Sequence, residues 1–266
     1  MTDKEKEEIT KRWDELMGRL YVLGYHKFVA ALKLSIEPVL LGLENTESLV
    51  FMDSMSTVLV TDVPIANAMA SFIPKVSDRT SRFLLKNYIK YLPKGTSLSV
   101  GFGSEIFARE MNEYLRTVGA DHVKEITDTT KRMVKKAISD SIENKETIKQ
   151  AAKRIERYTL GGLDGRINRR ARALLIARTE TLMASSKAKD IRMINSGIEV
   201  LKEWIHDHPK VPRQTHIDVA ISSKKKPLEA DEYFIVGGKK MKYAGDRNGG
   251  IENLANCRCS TIYIPK

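Results

Sequence analysis

Ile194-Asn195-Ser196-Gly197-Ile198-Glu199-Val200-Leu201-Lys202-Glu203-Trp204-Ile205 is where the chain changes its period. Upstream, from Asp164 to Asn195, apolar residues recur at helical spacing, with Leu174, Leu175, Ile176, Leu182, Met183, Ile191 and Ile194 on one side. Gly197 follows the last of them, where a helix end favours glycine. Downstream, Glu199 to Ile205 is a short run with the composition of a strand, and Phe234–Val236, Met241–Tyr243 and Ser260–Ile264 repeat the type. The expected fold class is α+β. A mainly helical N-terminal body and a long helix precede a small antiparallel β-containing C-terminal domain. The expected boundaries are a helical region over 1–127 and a second domain over 128–266, with helices in 128–196 and the β module in 199–266.

Further upstream the pattern stays helical. Between Thr10 and Leu43, Trp13, Leu16, Leu20, Leu23, Phe28, Ala31, Leu32 and Leu34 form a stripe three and four apart, and Pro38 and Gly42 mark a kink or an end. Residues 44–103 read as mostly helical, although Ser48–Phe51 and Ser56–Thr61 are compatible with strand. Ser104 is placed to cap a helix carrying Phe107, Met111, Tyr114, Leu115 and Val118, with Gly119 as its stop. A second helix is expected from Asp128, with Met133, Val134, Ala137, Ile138 and Ile142 inward, and a third from about Lys145 to Tyr158.

The composition is that of a folded chain: 42% of the 266 residues are apolar, 30% are charged and 8 are prolines, which argues against disorder. The first residues, Met-Thr-Asp-Lys-Glu-Lys-Glu-Glu, lack the basic start and apolar core of a signal peptide, so a cytoplasmic location is expected. The most apolar window, Thr57 to Ile73, is broken by Asp62 and Pro64 and is read as short of the roughly 20 residues that span a bilayer. No membrane partner is expected.

Charge is unevenly distributed. Residues 1–150 carry 22 Lys+Arg against 21 Asp+Glu, and residues 151–266 carry 23 against 13, so nearly all of the net +11 lies in the second half. A field of that sign attracts polyanions, with nucleic acid the commonest. Arg166, Arg169, Arg170 and Arg172 crowd the start of the long helix, where the helix dipole favours negative charge. Together with Lys224, Lys225 and Lys226 they are the expected nucleic-acid contacts; the competing reading is a solvated face.

Both cysteines fall in Asn256-Cys257-Arg258-Cys259. Thiols one residue apart make a poor disulfide, so they are expected to be packed or to bind metal. In chain order, the residues leading to them are Ile176-Ala177-Arg178-Thr179-Glu180, Trp204, Arg213-Gln214-Thr215-His216, Phe234 before Gly237-Gly238, and Tyr243-Ala244-Gly245-Asp246. Over about residues 130 to 264 this ordered set resembles the Mu F-like phage head morphogenesis family, the minor head proteins of tailed bacteriophages. The chain departs from the family pattern at Ile221-Ser222, where Asp-Gly is usual, and at Ala244, where the turn usually begins with proline.

The resemblance implies a non-enzymatic structural component of the virion near the portal, which assists head assembly, DNA packaging or DNA ejection. Its implied partners are the portal protein, capsid proteins and double-stranded DNA through non-specific phosphate contacts. Its implied location is the host cytoplasm during assembly and then the virion, and Arg178, Glu180, Trp204, Arg213, His216, Asn256, Cys257 and Cys259 would be structural motif residues.

A β module this small has a thin core, and such modules often recruit metal. His216, Cys257 and Cys259 are the candidate zinc ligands, with His206, Asp207 or His208 as a fourth. The favoured reading keeps His216 as a buried hydrogen-bonded imidazole beside two packed thiols, without a cofactor. No nucleophile elbow, P-loop or His-Glu-x-x-His helix occurs, and Gly101-Phe102-Gly103 is too short for a dinucleotide loop. The alternative from another class is a metal-dependent nuclease or phage-derived effector using His216 with Glu180 or Asp207.

Overall fold

The computed structural model describes residues 1–45, 48–92, 105–161, 171–206 and 212–266. Ser104, Gly101-Phe102-Gly103, Arg166, Arg169, Arg170, Asp207 and His208 lie outside these residues. Helices α1 (Asp3–Glu44), α2 (Leu49–Leu59), α3 (Val63–Tyr88), α4 (Glu105–Tyr114), α5 (Ala120–Glu143), α6 (Ile148–Gly161) and α7 (Ala171–Ile194) precede the small β-containing part. There β1 (Val200–Ile205), α8 (Gln214–Lys225), β2 (Leu228–Glu229), β3 (Phe234–Val236), β4 (Lys239–Met241), α9 (Ile251–Leu254) and β5 (Ser260–Pro265) follow. The protein is α+β and mainly helical, with its antiparallel strands near the C-terminus.

Several local expectations change. Ser48–Phe51 and Ser56–Thr61, compatible with strand by composition, contribute to α2. Met52 and Ser56, four apart on that helix, are buried. Pro38 sits inside α1 without ending it. Leu34 is half exposed while Ile36 is fully buried, because the stripe continues from Leu32 through Ile36 and Val39 to Leu43. Gly119 does not stop a helix: at φ −62 and ψ −41 it keeps right-handed dihedrals, and the π-helical turn Leu115–Gly119 runs directly into α5. By length and composition Met52–Tyr91 contains a window apolar enough to cross a membrane, contrary to the shorter estimate. A break between Leu59 and Val63 divides the stretch, and Ile65, Met69, Phe72, Ile73 and Val76 are buried within the protein.

The chain forms two compact units. One comprises Val22–Phe72 and Tyr114–Ala177. Its core joins Ile36, Val39 and Leu43 of α1, Met52 of α2, Val134, Ala137 and Ile138 of α5, and Ile155 and Tyr158 of α6. Thr147 and Gln150 cap α6 reciprocally, each backbone N–H donating to the other's side chain. The Tyr158 hydroxyl donates to Asp140 at 2.6 Å.

The other unit comprises Met1–Tyr21, Ile73–Glu113 and Arg178–Lys266. Its sheet runs β2-β1-β5, antiparallel throughout, with Trp204 opposite Thr261 and Lys202 opposite both Tyr263 and Leu228. Strands β3 and β4 form a hairpin whose two-residue turn, Gly237-Gly238, takes φ +56 and +79, the left-handed pair that suits strand twist. Ile9, Leu84, Tyr88, Met193, Val200, Ile262, Tyr263 and Ile264 make one core cluster.

Lys189 of α7 is buried in this unit. Its ammonium donates to Ser260 Oγ and the Thr261 carbonyl, both at 3.0 Å, and lies 3.4 Å from the Trp13 ring centroid. Burial pushes its pKa down to about 7, against a small opposing pull from Asp14. Above that pH the unfolded chain still holds a proton that the folded chain has released, so stability rises as pH climbs toward the ordinary lysine value. The unfolding free energy is expected to gain about 2 kcal/mol between about pH 7 and pH 9 in urea titrations. Lys189→Met should flatten that rise; an equal rise in the variant would assign the effect to another group.

Candidate functional site

The site lies wholly within the second unit and starts from Trp204. Alternation along β1 turns Val200, Lys202 and Trp204 to one face, and all three are buried. The Trp204 backbone N–H donates to Ser223 Oγ of α8 at 2.9 Å, which ties the strand to that helix. Arg213 stands at the N-cap of α8 in extended conformation, so His216 falls in the first turn and is carried inward. The Trp204 and His216 rings meet edge to face with centroids 5.4 Å apart, and Phe234 packs on Trp204 at the same separation.

The cysteines arrive from the other side. Asn256 takes φ +54, a left-handed conformation that asparagine tolerates better than most residues. From there the chain leads through Cys257-Arg258-Cys259 into β5. Cys257 and Cys259 are buried and Arg258 is exposed, as expected of alternating positions on an extended backbone. His216 Nδ1 lies 3.3 Å from Cys259 Sγ and 3.6 Å from Cys257 Sγ. The Cys259 N–H donates to Cys257 Sγ at 3.4 Å. Cys257 has its pKa lowered to about 5, chiefly by its hydrogen bond with Cys259 and further by His216, against the opposing effect of burial.

The far side of the imidazole is also fixed. Asn253 Nδ2 donates to the Gly249 carbonyl at 2.8 Å, which orients the amide so that Oδ1 faces His216 Nε2 at 3.2 Å. An amide oxygen only accepts, so Nε2 carries a proton and Nδ1 is the ring nitrogen turned to the sulfurs.

Arg178, His206, Arg213, His216, Asn256, Cys257, Arg258 and Cys259 line one cleft of about 400 Å³. Arg178 donates to Asn256 Oδ1 at 3.1 Å, Arg213 donates to the Ala255 carbonyl at 2.7 Å, and the Asn256 N–H donates to Thr179 Oγ1 at 3.3 Å. Two arginines widely separated in sequence therefore hold the same turn. Asp246, in the turn that departs from the family pattern, accepts from the Lys242 and Asn248 backbone N–H groups. Gly245 takes φ +93 where a Cβ would stand 3.0 Å from Leu182, so both space and conformation favour glycine there. Glu180 is buried and lies outside the cleft lining. Among the described residues the ligand group is one imidazole and two thiols without a carboxylate, which separates Glu180 from the role the nuclease alternative gave it.

The proposed DNA contacts divide. Lys224, Lys225 and Lys226 are exposed at the C-terminal end of α8, where positive charge also complements the helix dipole. Arg172 is a correction: its guanidinium is buried and donates to the Thr159 and Ile126 carbonyls and to Thr130 Oγ1. With its donors committed to those carbonyls and hydroxyl, it is not presented to a phosphate.

Other important residues were missed from sequence. Asn253 was not singled out. Lys202 was passed over although its place between Val200 and Trp204, on the inward side of a strand, marks it. A further groove, about 640 Å³ and lined by Arg12, Arg19, Arg79, Arg82 and Lys86 of α1 and α3, gathers five cations in the half of the chain whose net charge is near zero. A summed charge conceals it, because acids offset it locally: Glu15 lines the same groove, and Glu8 and Asp78 pair with Arg12 and Arg82.

Comparison of the chain with protein-family models, curated proteins and solved structures gives no match.

Proposed function

We propose that this chain is a minor head protein of a tailed bacteriophage, a structural component near the portal that contacts packaged DNA and assists head assembly, packaging or ejection. The observation that carries this reading is the convergence of the motif residues. Arg178, Trp204, Arg213, His216, Asn256, Cys257 and Cys259 span some 80 positions of sequence, yet they build one contiguous cluster through direct contacts. Residues matched only by chance spacing have no reason to converge.

Lysines at the end of α8 and the five cations of the α1–α3 groove supply phosphate contacts without reading sequence. Binding to double-stranded DNA is expected to weaken at least tenfold between about 50 and 200 mM salt, as measured by filter binding. Arg79→Glu combined with Lys86→Glu should lower the affinity and make the salt slope shallower. A flat salt response would assign the basic surface to protein partners. The reading as a whole is tested by locating the chain in purified particles and by its co-purification with the portal protein of the same phage; absence from both would overturn it.

A further inference from the structure

We propose that His216 Nδ1, Cys257 Sγ and Cys259 Sγ bind one zinc ion, with the fourth coordination position facing the cleft and taken by water. The spacing is the first argument. Zinc held tetrahedrally about 2.3 Å from each sulfur and about 2.0 Å from the nitrogen sets N···S edges of about 3.5 Å. The two N···S edges of the protein are 3.3 and 3.6 Å, and all three donor atoms lie within 4.8 Å of one another.

The second argument is the disposition of the donors. Nδ1 has one in-plane position to offer and faces both sulfurs, which also interact with each other. One cation between them uses that position and both sulfurs together. The surrounding groups already suit the task. Asn253 holds the Nε2 proton and leaves Nδ1 as the ring nitrogen available to a metal, in the way a metal-bound histidine is usually oriented by its other ring nitrogen. The Cys259 N–H donates to Cys257 Sγ, offsetting the negative charge that a thiolate ligand brings. Both cysteines bind as thiolates, and their protons leave to solvent. Two thiolates and an imidazole select zinc over magnesium or calcium, which prefer oxygen.

The test uses the full chain, purified, incubated with zinc and then dialysed against metal-free buffer. Elemental analysis should find one zinc per chain, and cobalt substitution should give the visible bands of a tetrahedral site together with a thiolate-to-cobalt charge-transfer band. Cys259→Ser, nearly isosteric, should lose both signals while keeping its far-ultraviolet circular dichroism. Asn253→Ala, which leaves all three ligands in place, should weaken zinc by about 10- to 100-fold in chelator competition. Zinc well below one per chain in the wild type, or cobalt spectra unchanged in Cys259→Ser, overturns the proposal. Neither readout involves DNA or the portal, so this result is independent of the head-protein reading.

Discussion

Trp204→Ala should lower the unfolding free energy of its unit by about 4 kcal/mol, the range expected when a large aromatic core side chain is truncated. Trp204 is 1% exposed and is the shared neighbour of His216 and Phe234, so truncation opens a cavity with rigid rings on two sides. Its backbone remains pinned by Ser223 and by its pairing opposite Thr261, which limits how far the site can collapse to fill the space. Urea unfolding followed by far-ultraviolet circular dichroism measures the loss. Trp204→Phe, which retains an edge for both neighbours, should recover more than half of it. The same cavity borders His216, so Cys257 and Cys259 should react with a thiol reagent faster in Trp204→Ala than in the wild type. A loss below about 1 kcal/mol would mean that this ring does not organise the module.

The second large effect concerns Lys202. Its fully buried ammonium donates to three backbone carbonyls, those of Ala230, Glu232 and Lys242. One side chain of β1 thereby fixes the chain on both flanks of the β3–β4 hairpin. Burial lowers its pKa, with Asp190 opposing that shift. Two terms compete in Lys202→Met. Removing a desolvated charge is favourable, but the three carbonyls lose their donor at about 1–3 kcal/mol each where water cannot replace it. The second term is larger, and a net loss of about 3 kcal/mol is expected in urea unfolding. Amide hydrogen exchange should rise across 228–243 before it rises in α7. A neutral or stabilised Met variant would show that the carbonyls find water.

Much of this arrangement was legible in the sequence because it rests on periodicity and turn chemistry. The change of period after Gly197 locates both the end of α7 and the start of the sheet. Alternation across Cys257-Arg258-Cys259 already places both thiols on one side. What could not be read depended on burial. Arg172 stands in a run of arginines that looks like a cationic face, and only packing shows its guanidinium directed at helix carbonyls. Gly119 carries the signature of a helix stop, but a stop also requires left-handed dihedrals, which the continuing helix withholds. Lys189 and Lys202 look solvent-facing by residue type, and their roles come from acceptors that strands and turns far along the chain present to them.

The unit that contains the site has an unusual dependence on the order of synthesis. Ile9 packs in the same cluster as Ile262, Tyr263 and Ile264, and β1 has its longest partner in β5. On the ribosome that cluster cannot close until residue 264 has emerged, whereas the other unit ends at Ala177 and is complete much earlier. Contacts of such long sequence separation are slow to form, so the start of α1 waits through most of translation with Ile9 uncovered. A nascent chain in that state is the one a chaperone would hold.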